Sequence, residues 1–233
     1  MTYELATDKR LALALDTDDL EKAIRWAGEV KGIFGVVKVG LQLFASQGPS
    51  VTRRLLDMGF EVFLDLKFYD IPNTVENASR VVGELGVSYL TVHSAGGVDM
   101  VKAALNGLRE GADRTGNRLP RLLGVTVLTS FAAASEADLA ERVSILIEAG
   151  ADGLVCAPTD LEFIRSHAPG FIKVVPGIRR PNDALGDQAR VASPEAAIAA
   201  GADVLVIGRP VTASENPRKT AMEIRSSVEF ARK

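Results

Sequence analysis

The segment FLDLKFYDIPNT, Phe63 to Thr74, sets Asp65, Lys67 and Asp70 at the end of a stretch that otherwise reads as a buried strand. Charged side chains are seldom left in such places unless they are paired. Strand side chains alternate between faces, so Phe63, Asp65 and Lys67 share one face while Leu64 and Leu66 share the other. With the leucines turned toward a covering layer, both charges enter one pocket. Two more charges stand at comparable points, Asp16 closing LALALD and Lys38 within VVKVG. Carboxylates and ammonium groups in alternation at three adjacent strand ends offset one another's desolvation, and they can hold an ammonium where negative charge develops in a reaction. Taken alone, Asp65 and Lys67 are equally compatible with a structural ion pair plugging the end of a core. Asp16 and Lys38 shift the balance toward a working network.

A second constellation lies near the C-terminus. PGIRRPNDALGDQARVASP, Pro176 to Pro194, is a long polar loop carrying Arg179, Arg180, Gln188 and Arg190, and IGRP follows the last apolar run with Gly208 and Arg209. Glycine N–H groups beside a guanidinium fork suit an anion, above all a phosphate. The plain alternative is a solvated loop with incidental arginines. A loop of this length also suits a cover over a site. His93, alone at a strand end, reads as a hydrogen-bonded structural residue, and Cys156 in an apolar run reads as core.

Eight short β-rich runs must position these groups: LALALD at Leu11, VVKVG at Val36, EVFLDLK at Glu61, YLTVH at Tyr89, LLGVTVL at Leu122, GLVCA at Gly153, IKVVPG at Ile172 and VLVIG at Val204. Helix signals fill the intervals. Ser193 precedes Pro194 at a first helical position and Gly201 follows the end, while Ser135 is a capping candidate before SEADLAERVSILIEAG. Eight such β-α units predict a single-domain TIM (β/α)8 barrel over residues 1–233, whose active site lies at the C-terminal strand ends and whose phosphate site follows strands seven and eight. A doubly wound open sheet is the other arrangement, but no G-x-G-x-x-G follows the first run.

Composition agrees with a small-molecule enzyme. The chain has 233 residues, 47% of them hydrophobic, and a formal net charge of -3, which gives no reason to expect nucleic acid or an anionic membrane as partner. One cysteine excludes an intramolecular disulfide and a cysteine zinc site, pointing to a reducing cytoplasm. The N-terminal apolar run stops at Asp16, too short for a signal core or a membrane span.

LALD (Leu13–Asp16), VKVG (Val37–Gly40), DLKFYDIPNT (Asp65–Thr74), TVHSAGG (Thr91–Gly97), VTVLTS (Val125–Ser130), PGIR (Pro176–Arg179), GDQAR (Gly186–Arg190) and VIGRP (Val206–Pro210) together resemble the orotidine 5'-phosphate decarboxylase family. D-x-K-x-x-D alone is shared by a wider superfamily; its combination with Lys38 and the phosphate-loop elements is far more specific. Ser94 stands where alanine is common. The resemblance implies a cofactor-free, metal-free homodimer converting orotidine 5'-phosphate to UMP and carbon dioxide. It implies Lys67 as proton donor to C6, Asp65 beside the departing carboxylate, and Lys38 and Asp70 completing the network. Asp70, Ile71 and Thr74 would belong to the substrate site, with Asp70 and Thr74 arriving from the neighbouring subunit. Asp16 and Lys38 would bind ribose hydroxyls, Thr129 the pyrimidine edge, and Pro176, Arg179, Gln188, Gly208 and Arg209 the phosphate region. A metal-dependent sugar-phosphate decarboxylase or aldolase of the same superfamily would be expected to offer an acidic ligand where Lys38 stands. A non-catalytic phosphate-binding barrel would leave the four interleaved charges without a reason.

Overall fold

Period-two alternation produces eight parallel strands: β1 (Leu11–Ala14), β2 (Val36–Gly40), β3 (Glu61–Phe68), β4 (Tyr89–His93), β5 (Arg121–Val125), β6 (Gly153–Val155), β7 (Ile172–Val175) and β8 (Val204–Ile207). They close in sequence order, β8 pairing with β1 through Leu11↔Leu205. The structure, a computed structural model, describes residues 5–128, 135–180, 183 and 190–231. Among these, the helices are α1 (Leu20–Val30), α2 (Leu41–Gln47), α3 (Ser50–Asp57), α4 (Pro72–Glu84), α5 (Gly97–Thr115), α6 (Glu136–Ala149), α7 (Leu161–His167), α8 (Pro194–Ala199), α9 (Arg209–Thr212) and α10 (Pro217–Phe230). The architecture is the expected TIM barrel.

Alternation sorts the strand residues into two layers. Ala12, Val36, Phe63, Tyr89, Leu123, Val174 and Val206 fill the barrel, while Leu13, Val37, Leu64, Leu90 and Leu205 pack outward in the helix-covered core. Followed two residues toward the C-terminal end, the inner rows turn polar: Ala14 leads to Asp16, Val36 to Lys38, Phe63 to Asp65 and Tyr89 to Thr91. The barrel is thus apolar through its body and charged at its mouth.

Local signals start and stop the helices. Ser135 and Ser193 accept hydrogen bonds from the Asp138 and Ala196 amides as N-caps, and Gly201, two residues beyond α8, has φ +105°. Pro72 opens α4, with Ile71 held extended before it. α4 and α5 approach backbone to backbone: a Cβ on Gly107 would lie 2.1 Å from the Glu76 carbonyl oxygen. β5 and β6 stop two or more residues short of their apolar runs. β5 stops at Val125 and β6 at Val155, because the mouth loops begin there; Thr126 still donates to the Val155 carbonyl through both its amide and its hydroxyl.

Candidate active site

The mouth encloses a cavity of about 740 Å³ whose wall includes Asp16, Lys38, Asp65, Lys67, Arg179 and Arg209. Its charged side is a chain of ion pairs. Asp16 Oδ1 lies 3.3 Å from Lys38 Nζ, Lys38 Nζ lies 3.3 Å from Asp65 Oδ2, and Lys67 Nζ lies 2.8 Å from Asp65 Oδ1. The strand register explains the contacts, since β2 and β3 place Lys38 opposite Phe63 and Gly40 opposite Asp65, one step apart on neighbouring strands.

Burial differs along the chain of charges. Lys38 and Asp65 are buried, whereas the Asp16 carboxylate is 63% exposed. Burial disfavours the Lys38 ammonium, but Asp65 and then Asp16 outweigh it and hold its pKa above the ordinary lysine value. Burial likewise disfavours the Asp65 carboxylate, and the Lys38 and Lys67 charges, with hydrogen bonds from Lys67 and Thr91, bring its pKa below the usual range. Both stay ionised at neutral pH. Gly40 leaves them room: a Cβ there would come within 3.2 Å of both Asp16 Oδ1 and Lys38 Nζ.

Lys67 sits on distorted backbone. Its φ is +51°, the one positive value on a residue other than glycine among the described residues. A lysine in the left-handed region is strained, and such strain persists only where surrounding structure enforces it. His93, at the end of β4, packs edge-on against Tyr69 with ring centroids 5.8 Å apart. Burial and the nearby Lys67 charge depress its pKa, opposed by Asp65, so the ring is neutral at pH 7. Cys156 touches the cavity but is buried, and burial raises its pKa.

Across the mouth, Pro176, Gly177, Arg179, Gly208 and Arg209 line the same cavity. The segment after β7 is closed at its base by a bridge between Ile178 and Ala192, with the Arg179 amide donating to the Ala192 carbonyl at 2.9 Å. The arginines of this segment divide. Arg179 reaches the cavity wall, as does Arg209 after β8, while Arg180 pairs with Asp183 at 3.0 Å and buried Arg190 with buried Asp160 at 2.7 Å outside that wall. Arg190 also donates to the Thr159 hydroxyl and, at 3.2 Å, to the Leu128 carbonyl, tying together the segments after β5, β6 and β7. The anion-binding potential of the loop is therefore narrower than its count of arginines.

Of the sequence-predicted residues, Asp16, Lys38, Asp65, Lys67, Pro176, Arg179, Gly208 and Arg209 gather around one cavity. Asp70, Ile71 and Thr74 do not: all three are exposed at the rim, where Asp70 Oδ1 accepts the neighbouring Ile71 amide. Exposed Tyr69 and Ile71 and, on α2, Leu41 lie in the same mouth-side segments. Thr129 and Gln188 fall outside the described residues. Sequence reasoning missed Thr91, fully buried, whose hydroxyl accepts from the Lys67 amide at 3.0 Å and donates to Asp65 Oδ1 at 3.0 Å. Its signal was a hydroxyl two residues after Tyr89 on the inward face. Among the described residues no three His, Cys, Asp or Glu side chains are grouped so as to hold a metal ion, and no helix is long and apolar enough to cross a membrane.

Known proteins resemble this chain over nearly its whole length. The sequence model of the orotidine 5'-phosphate decarboxylase / HUMPS family matches residues 9–224. A curated orotidine 5'-phosphate decarboxylase from Anaeromyxobacter sp. (strain K) is 43% identical over 227 residues, covering 93% of this chain and 96% of its own. Its counterpart from Nitratidesulfovibrio vulgaris (strain DP4) is 42% identical over 233 residues, covering 96% and 99%. The crystal structure of orotidine 5'-phosphate decarboxylase from Lactobacillus acidophilus superposes with a TM-score of 0.81 at 31% identity, over 94% of this chain and 99% of that one.

Proposed function

Since the chain belongs to the orotidine 5'-phosphate decarboxylase / HUMPS family and converts orotidine 5'-phosphate to UMP and carbon dioxide, we propose that its Asp16–Lys38–Asp65–Lys67 charges drive that reaction electrostatically, with Lys67 as proton donor. The observation that carries the reading is the alternating ion-pair chain facing Arg179 and Arg209 across one cavity.

The chemistry explains the demand for such a chain. When the bond from C6 to the carboxylate breaks, carbon dioxide leaves and the electron pair stays in an in-plane orbital that the pyrimidine carbonyls cannot drain by conjugation. An ammonium fixed beside C6 stabilises that charge as it develops. The Lys67 Nζ proton then forms the C6–H bond, and solvent returns a proton to the neutral amine. Asp65, 2.8 Å from the Lys67 ammonium, keeps it aimed, and its carboxylate beside that of the substrate adds a smaller ground-state repulsion. In this reading Lys38 and Asp16 bind the ribose hydroxyls and Thr129 the pyrimidine edge. Pro176, Arg179, Gln188, Gly208 and Arg209 take the phosphate, whose binding energy, remote from C6, organises the site.

The reading extends to a homodimer of single-domain barrels, residues 1–233, working in the cytoplasm. Asp70, Ile71 and Thr74 then complete the site of a second copy, which accounts for their exposure beside Tyr69 and Leu41 at the rim. The reading needs no metal, since Lys38 supplies a fixed cation.

Loss of orotidine 5'-phosphate absorbance tests the assignment. Lys67→Ala removes donor and stabilising charge together, so turnover falls roughly 1,000-fold or more while UMP still binds. Near-normal turnover in this variant removes Lys67 from the mechanism. Exhaustive chelation with EDTA leaves wild-type turnover unchanged; a loss restored by magnesium favours the metal-dependent relative instead.

A further inference from the structure

We infer that Thr91 is a positioning residue for the decarboxylation, locking both ends of Lys67 into a reactive geometry. The inference rests on the reading of Lys67 as proton donor.

The strand register creates the need. β3 and β4 pair at Leu64↔Leu90 and next at Phe68↔Val92. Between these pairs β3 spends three residues, Asp65, Leu66 and Lys67, while β4 spends one, Thr91. An excess of this kind bends the strand, interrupts the ladder and re-aims side chains, and bulges recur beside active sites. Here the surplus is absorbed at Lys67, whose φ of +51° disfavours any side chain with a Cβ. Relaxing that torsion would swing the ammonium away from the place the bulge gives it.

Thr91 is the one residue set opposite the bulge, and its hydroxyl fills both of its hydrogen-bonding roles there. It accepts the Lys67 amide at 3.0 Å and donates to Asp65 Oδ1 at 3.0 Å. That same oxygen is 2.8 Å from Lys67 Nζ. A closed ring results, running from the Lys67 amide through the Thr91 hydroxyl and the Asp65 carboxylate back to the Lys67 ammonium. The backbone of the donor is fixed by the same group that orients its counter-ion. Thr91 has no solvent exposure, so water does not substitute for the hydroxyl. Nothing places Thr91 against substrate, and its effect passes entirely through Lys67 and Asp65.

The test compares Thr91→Val, Thr91→Ser and Lys67→Ala, each checked for folding by circular dichroism and for UMP binding by calorimetry. Valine keeps the shape and removes the hydroxyl; serine keeps the hydroxyl and removes a methyl. Losing a hydrogen bond to a charged group corresponds to roughly a 10- to 100-fold effect. Thr91→Val is therefore expected to lose that much kcat with KM and UMP affinity within about threefold of wild type, and Thr91→Ser to recover most of it. If Thr91→Val does not fold, Thr91→Ala against Thr91→Ser isolates the same hydroxyl. Wild-type kcat in the valine variant, serine as impaired as valine or alanine, or UMP affinity falling in step with kcat would each overturn the inference. An active Lys67→Ala enzyme would instead overturn the underlying reading, whatever the Thr91 variants do.

Discussion

Replacing Arg190 by methionine isolates the tie that holds three mouth segments together. The Arg190 and Asp160 side chains are 5% and 6% exposed, and one guanidinium nitrogen lies 2.7 and 2.9 Å from the two carboxylate oxygens. Methionine fills much of the same volume but leaves Asp160 a buried carboxylate that still accepts from the Thr159 hydroxyl, at 3.0 Å, and has lost its counter-ion. Removing one partner of a buried pair costs about 3–5 kcal/mol, chiefly because the other charge is left uncompensated. For a chain of this size that corresponds to a fall in Tm of about 6–20 °C. Because the cost belongs to the stranded charge, adding Asp160→Asn, which removes the charge and keeps the shape, should recover half of the loss or more. Thermal and urea unfolding of the two single variants and the double variant measure this. The site should register it as well: Arg190 holds the carbonyl of cavity-lining Leu128 and lies in the segment that presents Arg179, so KM for orotidine 5'-phosphate should rise more than kcat falls. A loss below about 1 kcal/mol, or a double variant no more stable than Arg190→Met, would refute the argument that a stranded buried charge sets the cost.

Two other outcomes follow from the same geometry. If Asp70 serves a second copy, mixing nearly inactive Lys67→Ala and Asp70→Ala proteins yields heterodimers with one doubly defective site and one intact site, so activity recovers on subunit exchange; heterodimers shown by mass spectrometry without recovery would place Asp70 in its own barrel's site. Lys38, whose folded pKa lies above 10.5, binds its proton more tightly in the folded chain, so its stabilising contribution is complete below that value and is lost as pH rises through the folded pKa. The stability gap between wild type and Lys38→Met, taken from urea midpoints, should therefore hold as pH approaches 10.5 and narrow as pH rises above it; a gap that stays constant there would mean that its charge contributes nothing to folding.

Much of the architecture was legible in the chain because it is written in short-range chemistry. Alternation in FLDLK turns Leu64 and Leu66 outward and Asp65 inward, and it does so for any strand with one packed face. Ser135, Ser193 and Pro194 mark helix starts through bonds and torsions spanning a few residues. Even the gathering of Asp16, Lys38, Asp65 and Arg209 follows once eight β-α units are granted, since a barrel brings all strand ends to one rim. Pairings across the chain were another matter. Nothing local to Arg190 selects Asp160, thirty residues earlier, over an anion, and nothing local to Thr91 selects the Lys67 amide. The three-against-one register opposite Thr91 depends on how two strands twist past each other at the closed mouth, and the left-handed torsion at Lys67 is its consequence. Sequence by itself determined which groups could do chemistry and at which end of the barrel they stand. The tertiary structure decided which charges neutralise each other and at what angle the lysine is presented, because those depend on distances between segments that share no local signal.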